Sequence, residues 1–173
     1  EPVANRKMPS TRITDRAMEW LGDLGDERMF LFLHYFDVHS DYASLPEFER
    51  IFDEPYEGQA DGTSWQLRRA TLAESYLEMC HANFDKNACS LGGGPESYLV
   101  DHTVEKVFYD DADIRHLKNL YDGSIRYTDH YLPELLETLN YDPNSDMLII
   151  TADHGEQFYL HGWWGHGRLL LPE

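Results

Sequence analysis

The sequence predicts an α/β fold with a mostly parallel sheet flanked by helices, and three observations carry that reading. Two short apolar runs, "MFLFLHYF" (29–36) and "DMLIITA" (146–152), are too short and too evenly apolar for surface helices and have the character of strands buried on both faces. Helical periodicity lies before and between them, giving the order helix, strand, helices, strand. Both runs end in Asp and His, and in open α/β sheets ligands bind beyond the carboxyl ends of the strands.

The first helix is expected in "STRITDRAMEWLGDL", where Ile13, Ala17, Trp20, Leu21 and Leu24 share one face. Ser10 or Thr11 is the candidate cap, and Gly22 and Gly25 lie near the end. After the first strand run, "PEFERIF" and "SWQLRRATLAESYLEM" each read as a helix, and "LGGGP" as a break. Signals are weaker over 58–107, which reads as an insertion or lid region. "DADIRHLKNLYDGSIRYTDHYLPELLETL" keeps a long apolar stripe from Ile114 to Leu139, with Pro133 expected to kink it or to start a second helix. Asp110, Asp111 and Asp113 are expected to cap that helix. "NYDPNS" is a turn leading to the second strand run.

Composition narrows the function. With 14 Lys and Arg against 32 Asp and Glu, the formal charge is -18, which disfavours nucleic-acid phosphates and anionic lipid as partners. A chain with 42% hydrophobic and 13% aromatic residues has enough core material to fold. No apolar run is long enough to span a membrane, and the first residues lack the apolar segment of a signal peptide. Residue 1 is not Met and is not expected to be the native start. Cys80 and Cys89 are spaced for a local disulfide or stand as two free thiols, and neither fits a zinc-finger pattern. The residues carry no signal of oligomeric state.

The chemistry concentrates after the second strand run, in "DHGEQFYLHGWWGHG". Asp153 and His154 place a hard oxygen and an imidazole side by side, a pair able to bind a divalent cation once other ligands join. His161 and His166 follow next to glycines in a loop where Trp163 and Trp164 are expected to exclude water. His39, after the first strand run, would join them if the two strands are neighbours. A metal-binding corner with several imidazoles suits hydrolysis of an anionic ester. "GGGP" lacks the Lys and Ser/Thr of a phosphate-binding loop, and no G-x-S-x-G elbow occurs.

"TDRAMEWL", "FLFLHYFDVHSDY", "LYDGSIRYTDHYLPELLETL" and "TADHGEQFYLHGWWGHGRLLLPE" together resemble the sulfatase family of the alkaline-phosphatase-like superfamily. The resemblance implies a partial alkaline-phosphatase/sulfatase-like α/β catalytic domain over residues 1–173. It also implies a divalent metal, expected to be Ca2+, held by Asp153 and His154. His39 is implied to contact substrate oxygens and assist the leaving group. His166 stands thirteen positions after Asp153, where the family has a basic residue, usually Lys, that grips the sulfate ester. His161 is implied to lie on the substrate side of the site, whereas Asp37, Tyr127 and Asp129 are read as structural.

The family's Asp-rich first strand and its C/S-x-P-S-R motif, source of the formylglycine nucleophile, do not occur, and "MPSTR" does not match. The resemblance therefore implies the C-terminal part of a metal-dependent sulfuric ester hydrolase, inactive by itself, with the nucleophile upstream. A sulfated small molecule or carbohydrate would be the substrate, in an extracellular, periplasmic or lysosome-like compartment. Two alternatives stand beside it. One is a phosphodiesterase, phosphonate hydrolase or phosphoglycerol transferase of the same superfamily, and the other is a non-catalytic binding module.

Overall fold

A computed structural model of the chain describes residues 9–22, 28–39, 41–42, 46–49, 52, 55–82, 89–91, 98–100, 103–159 and 162–166. Contacts divide the chain into two compact units, Glu1–Pro55 with Asn119–Asp153, and Tyr56–Lys118 with His154–Glu173.

In the first unit, helix α1 (Pro9–Gly22) forms where the periodicity predicts it, although Trp20, expected on its apolar face, is 47% exposed. Ala17 and Leu21 bury against Leu135, with Met18, Leu31, Leu33 and Leu139 packed around them. The expected cap takes a different form. Ser10 lies inside the helix, and its backbone N–H donates to Asp37 Oδ1 at 3.2 Å while its hydroxyl donates to Asp37 Oδ2. Asp37 thus supplies from a distant loop the carboxylate that a helix N-terminus favours. Burial pushes the Asp37 carboxyl above its usual range, against the lowering effect of the two Ser10 bonds. Thr14, fully buried, lies 3.0 Å from the Tyr35 hydroxyl, so the loop is tied to the helix at a second point. Asp37 is therefore structural, as its place in the sequence suggested.

The short helix α2 (Pro46–Glu49) buries Phe48 edge-on to Tyr127, at 5.4 Å between ring centroids. A Cβ at Gly123 would meet the Glu49 Cα at 3.2 Å, which explains a glycine at this position facing α2.

Both predicted strand runs belong to this unit, and neither is paired with a strand among the described residues. From Leu31 to Phe36 exposure alternates with period two, as in an extended run. Leu31 and Leu33 face the α1 core, while Phe30 and Phe32 are 89% and 76% exposed. Met147, Ile149 and Ile150 are also exposed, at 86%, 73% and 73%. The parallel sheet is thus not seen among the described residues. An evenly apolar run encodes burial on two faces, and that burial needs flanking strands.

In the second unit, the single helix expected over residues 64–79 is two helices, α3 (Ser64–Ala70) and α4 (Glu74–Ala82). Thr71 ends the first, its hydroxyl donating to the Arg68 carbonyl at 2.9 Å and competing with the next helical turn. Thr63 caps α3 by accepting from the Gln66 N–H. Cys80 and Cys89 form a disulfide, which resolves the two possibilities left by their spacing. They sit in a small core with Leu72, Leu77, Val100 and Val104. Strands β1 (Ser90–Leu91) and β2 (Tyr98–Leu99) pair antiparallel beside it, and "LGGGP" falls largely outside the described residues.

Helix α5 (Asp111–Thr138) begins in the second unit and ends in the first, continuing through Pro133 rather than breaking there. Its cap is the predicted acidic cluster. Asp110 Oδ1 accepts from the N–H groups of Ala112 and Asp113, and Asp113 Oδ2 accepts in return from the Asp110 N–H. Tyr56 donates to the other Asp113 oxygen, and its ring stacks on His116 at 3.8 Å. A Cβ on Gly58 would overlap the side chains of both Tyr56 and Asp113, so a larger residue there would have to displace this pair. Asn140, with φ of 49°, and a Tyr141 N–H bond to Leu136 close the far end of the helix. No described helix is long and apolar enough to cross a membrane.

Removing the cross-link by replacing Cys80 and Cys89 with Ser frees a short loop in the unfolded chain. We expect urea denaturation to show a loss of roughly 2–3 kcal/mol; an unchanged midpoint would contradict the assigned stabilising role.

Candidate functional site

The loop that the sequence marks as chemical is a β-hairpin in the second unit. Strands β3 (Gln157–Phe158) and β4 (Trp164–Gly165) pair antiparallel, with Gln157 opposite Gly165 and Phe158 opposite Trp164. Left-handed backbone at Tyr159 (φ 64°) and Gly162 (φ 75°) turns the chain between them. The Tyr159 N–H donates to the Trp163 carbonyl at 2.9 Å, closing the loop. Continuing that register one step outward places Glu156 opposite His166, and His154 lies two residues earlier, in a bend.

The side chains meet as the register requires. His166 Nδ1 lies 3.0 Å from Glu156 Oε2, with the two side chains 28% and 7% exposed. The His154 ring stacks on the His166 ring at 3.8 Å, and its Nδ1 sits 2.9 Å from the Gly155 carbonyl. One donor atom from each of His154, Glu156 and His166 lies within 4.8 Å of the others.

Trp164 anchors the hairpin. It is 8% exposed, edge-on to Tyr109 at 5.9 Å and to Phe158 at 5.9 Å. Tyr109 is held by its hydroxyl, which donates to Gln66 of α3 at 2.9 Å, and burial pushes that hydroxyl's pKa well up. Lys118 Nζ lies over the Phe158 ring at 5.8 Å and brings a cation to this strand. Trp163 is 46% exposed, so of the two tryptophans expected to exclude water only Trp164 covers the interior.

The family model for sulfatases matches residues 2–168, nearly the whole chain. The chain belongs to the sulfatase family. No match was found among curated proteins or among solved structures. Membership makes it a hydrolase of the sulfatase superfamily in general, with an α/β alkaline-phosphatase-like fold and sulfated substrates implied, and with a divalent metal in general use.

Within this sulfatase-family chain the predicted site residues fall as follows. His154 and His166 come together in the second unit, whereas His39 and Asp153 belong to the first. His39 ends a turn in which its N–H donates to the Phe36 carbonyl at 3.3 Å, and its ring stacks on Phe36 at 4.4 Å. Asp153 is exposed. His161 lies outside the described residues. Sequence reasoning missed Glu156 and Lys118. The signal for Glu156 was its two-residue spacing from His154, and nothing local in the sequence pairs Lys118 with Phe158.

The clustered donors are two imidazoles and one carboxylate, a set that fits a divalent ion of the zinc type. Calcium takes six to eight oxygen ligands, and this cluster supplies one carboxylate toward them.

Gly165 has φ of 89°, and a Cβ there would still find room, 3.7 Å from Glu156 Oε1. Gly165→Ala should therefore strain the backbone next to His166 without a clash. The expected loss is about 1 kcal/mol in denaturant unfolding; unchanged stability would show that the hairpin tolerates the substitution by relaxing.

Proposed function

We propose that this sulfatase-family chain forms part of a metal-dependent sulfuric ester hydrolase acting on a sulfate monoester of a small molecule or carbohydrate. The observation that supports it best is the meeting of His154 and His166 beside Glu156 in a chain matched to the family over residues 2–168. In this reading the nucleophile is a formylglycine carried by a segment outside these 173 residues, and the chain by itself does not turn over substrate.

Asp153 and His154 are proposed to hold the divalent ion, which when bound polarises an ester oxygen. His166 and His161 are assigned to the sulfate side, and His39 to the leaving alcohol as charge stabiliser or proton donor. Glu156, bonded to His166 Nδ1, keeps that ring oriented, the arrangement a carboxylate gives a catalytic histidine. Residues 58–107 are proposed to contribute to substrate choice.

The test is hydrolysis of para-nitrophenyl sulfate by the full-length protein that carries the nucleophile. His39→Ala and His166→Ala should each lower kcat by about 10²–10⁴-fold with unchanged far-UV circular dichroism. Wild-type rates in both variants would leave the non-catalytic module as the better reading. A higher rate on bis-para-nitrophenyl phosphate than on the sulfate would move the chain to phosphodiester chemistry.

A further inference from the structure

We infer that His154, Glu156 and His166 form a binding site for a borderline divalent transition ion, zinc being the reference, and that this site takes zinc in preference to calcium. The inference rests on the sulfatase reading for its biological setting and changes two roles within it, the first being that Glu156 takes the carboxylate place given above to Asp153. The second is that His166 becomes a ligand of the ion and acts on the ester through it.

Donor chemistry is the first support. Imidazole nitrogen suits zinc and its neighbours in the transition series, whereas calcium selects oxygen. Two imidazoles and a carboxylate are a ligand set that catalytic zinc sites use, and three protein donors leave one tetrahedral position open for water or a substrate oxygen.

Local preorganisation is the second. His154 has Nδ1 at 2.9 Å from the Gly155 carbonyl, and His166 has Nδ1 at 3.0 Å from Glu156 Oε2. An oxygen acceptor at Nδ1 favours the tautomer with its proton there and makes Nε2 the metal-binding nitrogen in both rings. Glu156 then serves in one of two ways, as the third ligand or as the carboxylate that holds His166 in place. The 4.8 Å spread of the donors must close on binding, and His154, exposed, is able to turn.

The third support is the scaffold. All three residues flank one hairpin, which the buried Trp164 packs against Tyr109.

Calorimetric titration of the 173-residue chain with zinc chloride and with calcium chloride tests this without any turnover, so its result is separate from that of the sulfate ester assay. One zinc per chain is expected, with calcium at least about tenfold weaker. Glu156→Gln and His166→Ala should each weaken zinc about 10–100-fold, with the far-UV spectrum unchanged. Cobalt offers a second readout that needs no variant: it should broaden the His154 and His166 ring signals in the proton NMR spectrum. Calcium binding as tight as zinc, zinc affinity unaltered in both variants, or cobalt broadening confined to other histidines would each overturn the inference.

Discussion

The meeting of His154, Glu156 and His166 depends on one register, the pairing of Gln157 with Gly165 in a hairpin of two-residue strands. A slip of one residue would exchange the faces of every side chain on one strand. Trp164 would then leave its place against Tyr109, and His166 would no longer stand opposite Glu156. The apolar part of the hairpin and its polar part therefore constrain each other. Burial of one large indole, tied through Tyr109 to α3, sets the position of three hydrophilic donors at the hairpin's open end.

A second theme is what the chain does with its acidic excess. A formal charge of -18 is a repulsive load on a compact state, yet the buried Asp37 and Asp113 are placed where the backbone is electropositive. Asp37 receives the Ser10 N–H at the start of α1, and Asp110 with Asp113 closes the start of α5. Asp113 also accepts from Tyr56, whose hydroxyl is pushed up to about 12 by burial and by that carboxylate. Tyr56 thus remains a donor across the physiological range. Burial raises Asp113 as well, but hydrogen bonds led by Tyr56 outweigh it and hold the carboxyl below its usual range.

What the sequence made legible follows from how local each signal is. The long helix, its acidic cap and the turn at "NYDPNS" rest on neighbours in the chain, and all are present. The break at Thr71 was missed because a hydroxyl bond to the Arg68 carbonyl overrides apolar periodicity that continues across it. The two apolar runs carry the pattern of buried strands, but pairing and burial are not local properties, and Phe30, Phe32 and Met147 stand exposed. Of the clustered donors, His154 and His166 were singled out by their motif. Glu156 was not, because its role arises from a cross-strand register that no single residue announces.

A metal site on the hairpin is what we propose from family membership and the His154–Glu156–His166 cluster, and locating a bound ion tests it most directly. Crystals of the chain soaked in zinc, with diffraction recorded across the zinc absorption edge, should show one anomalous peak about 2.0–2.2 Å from a nitrogen of both His154 and His166, with Glu156 bonded to the ion or to His166. A peak held by Asp153 without His166, or no peak at the hairpin at all, would contradict the account.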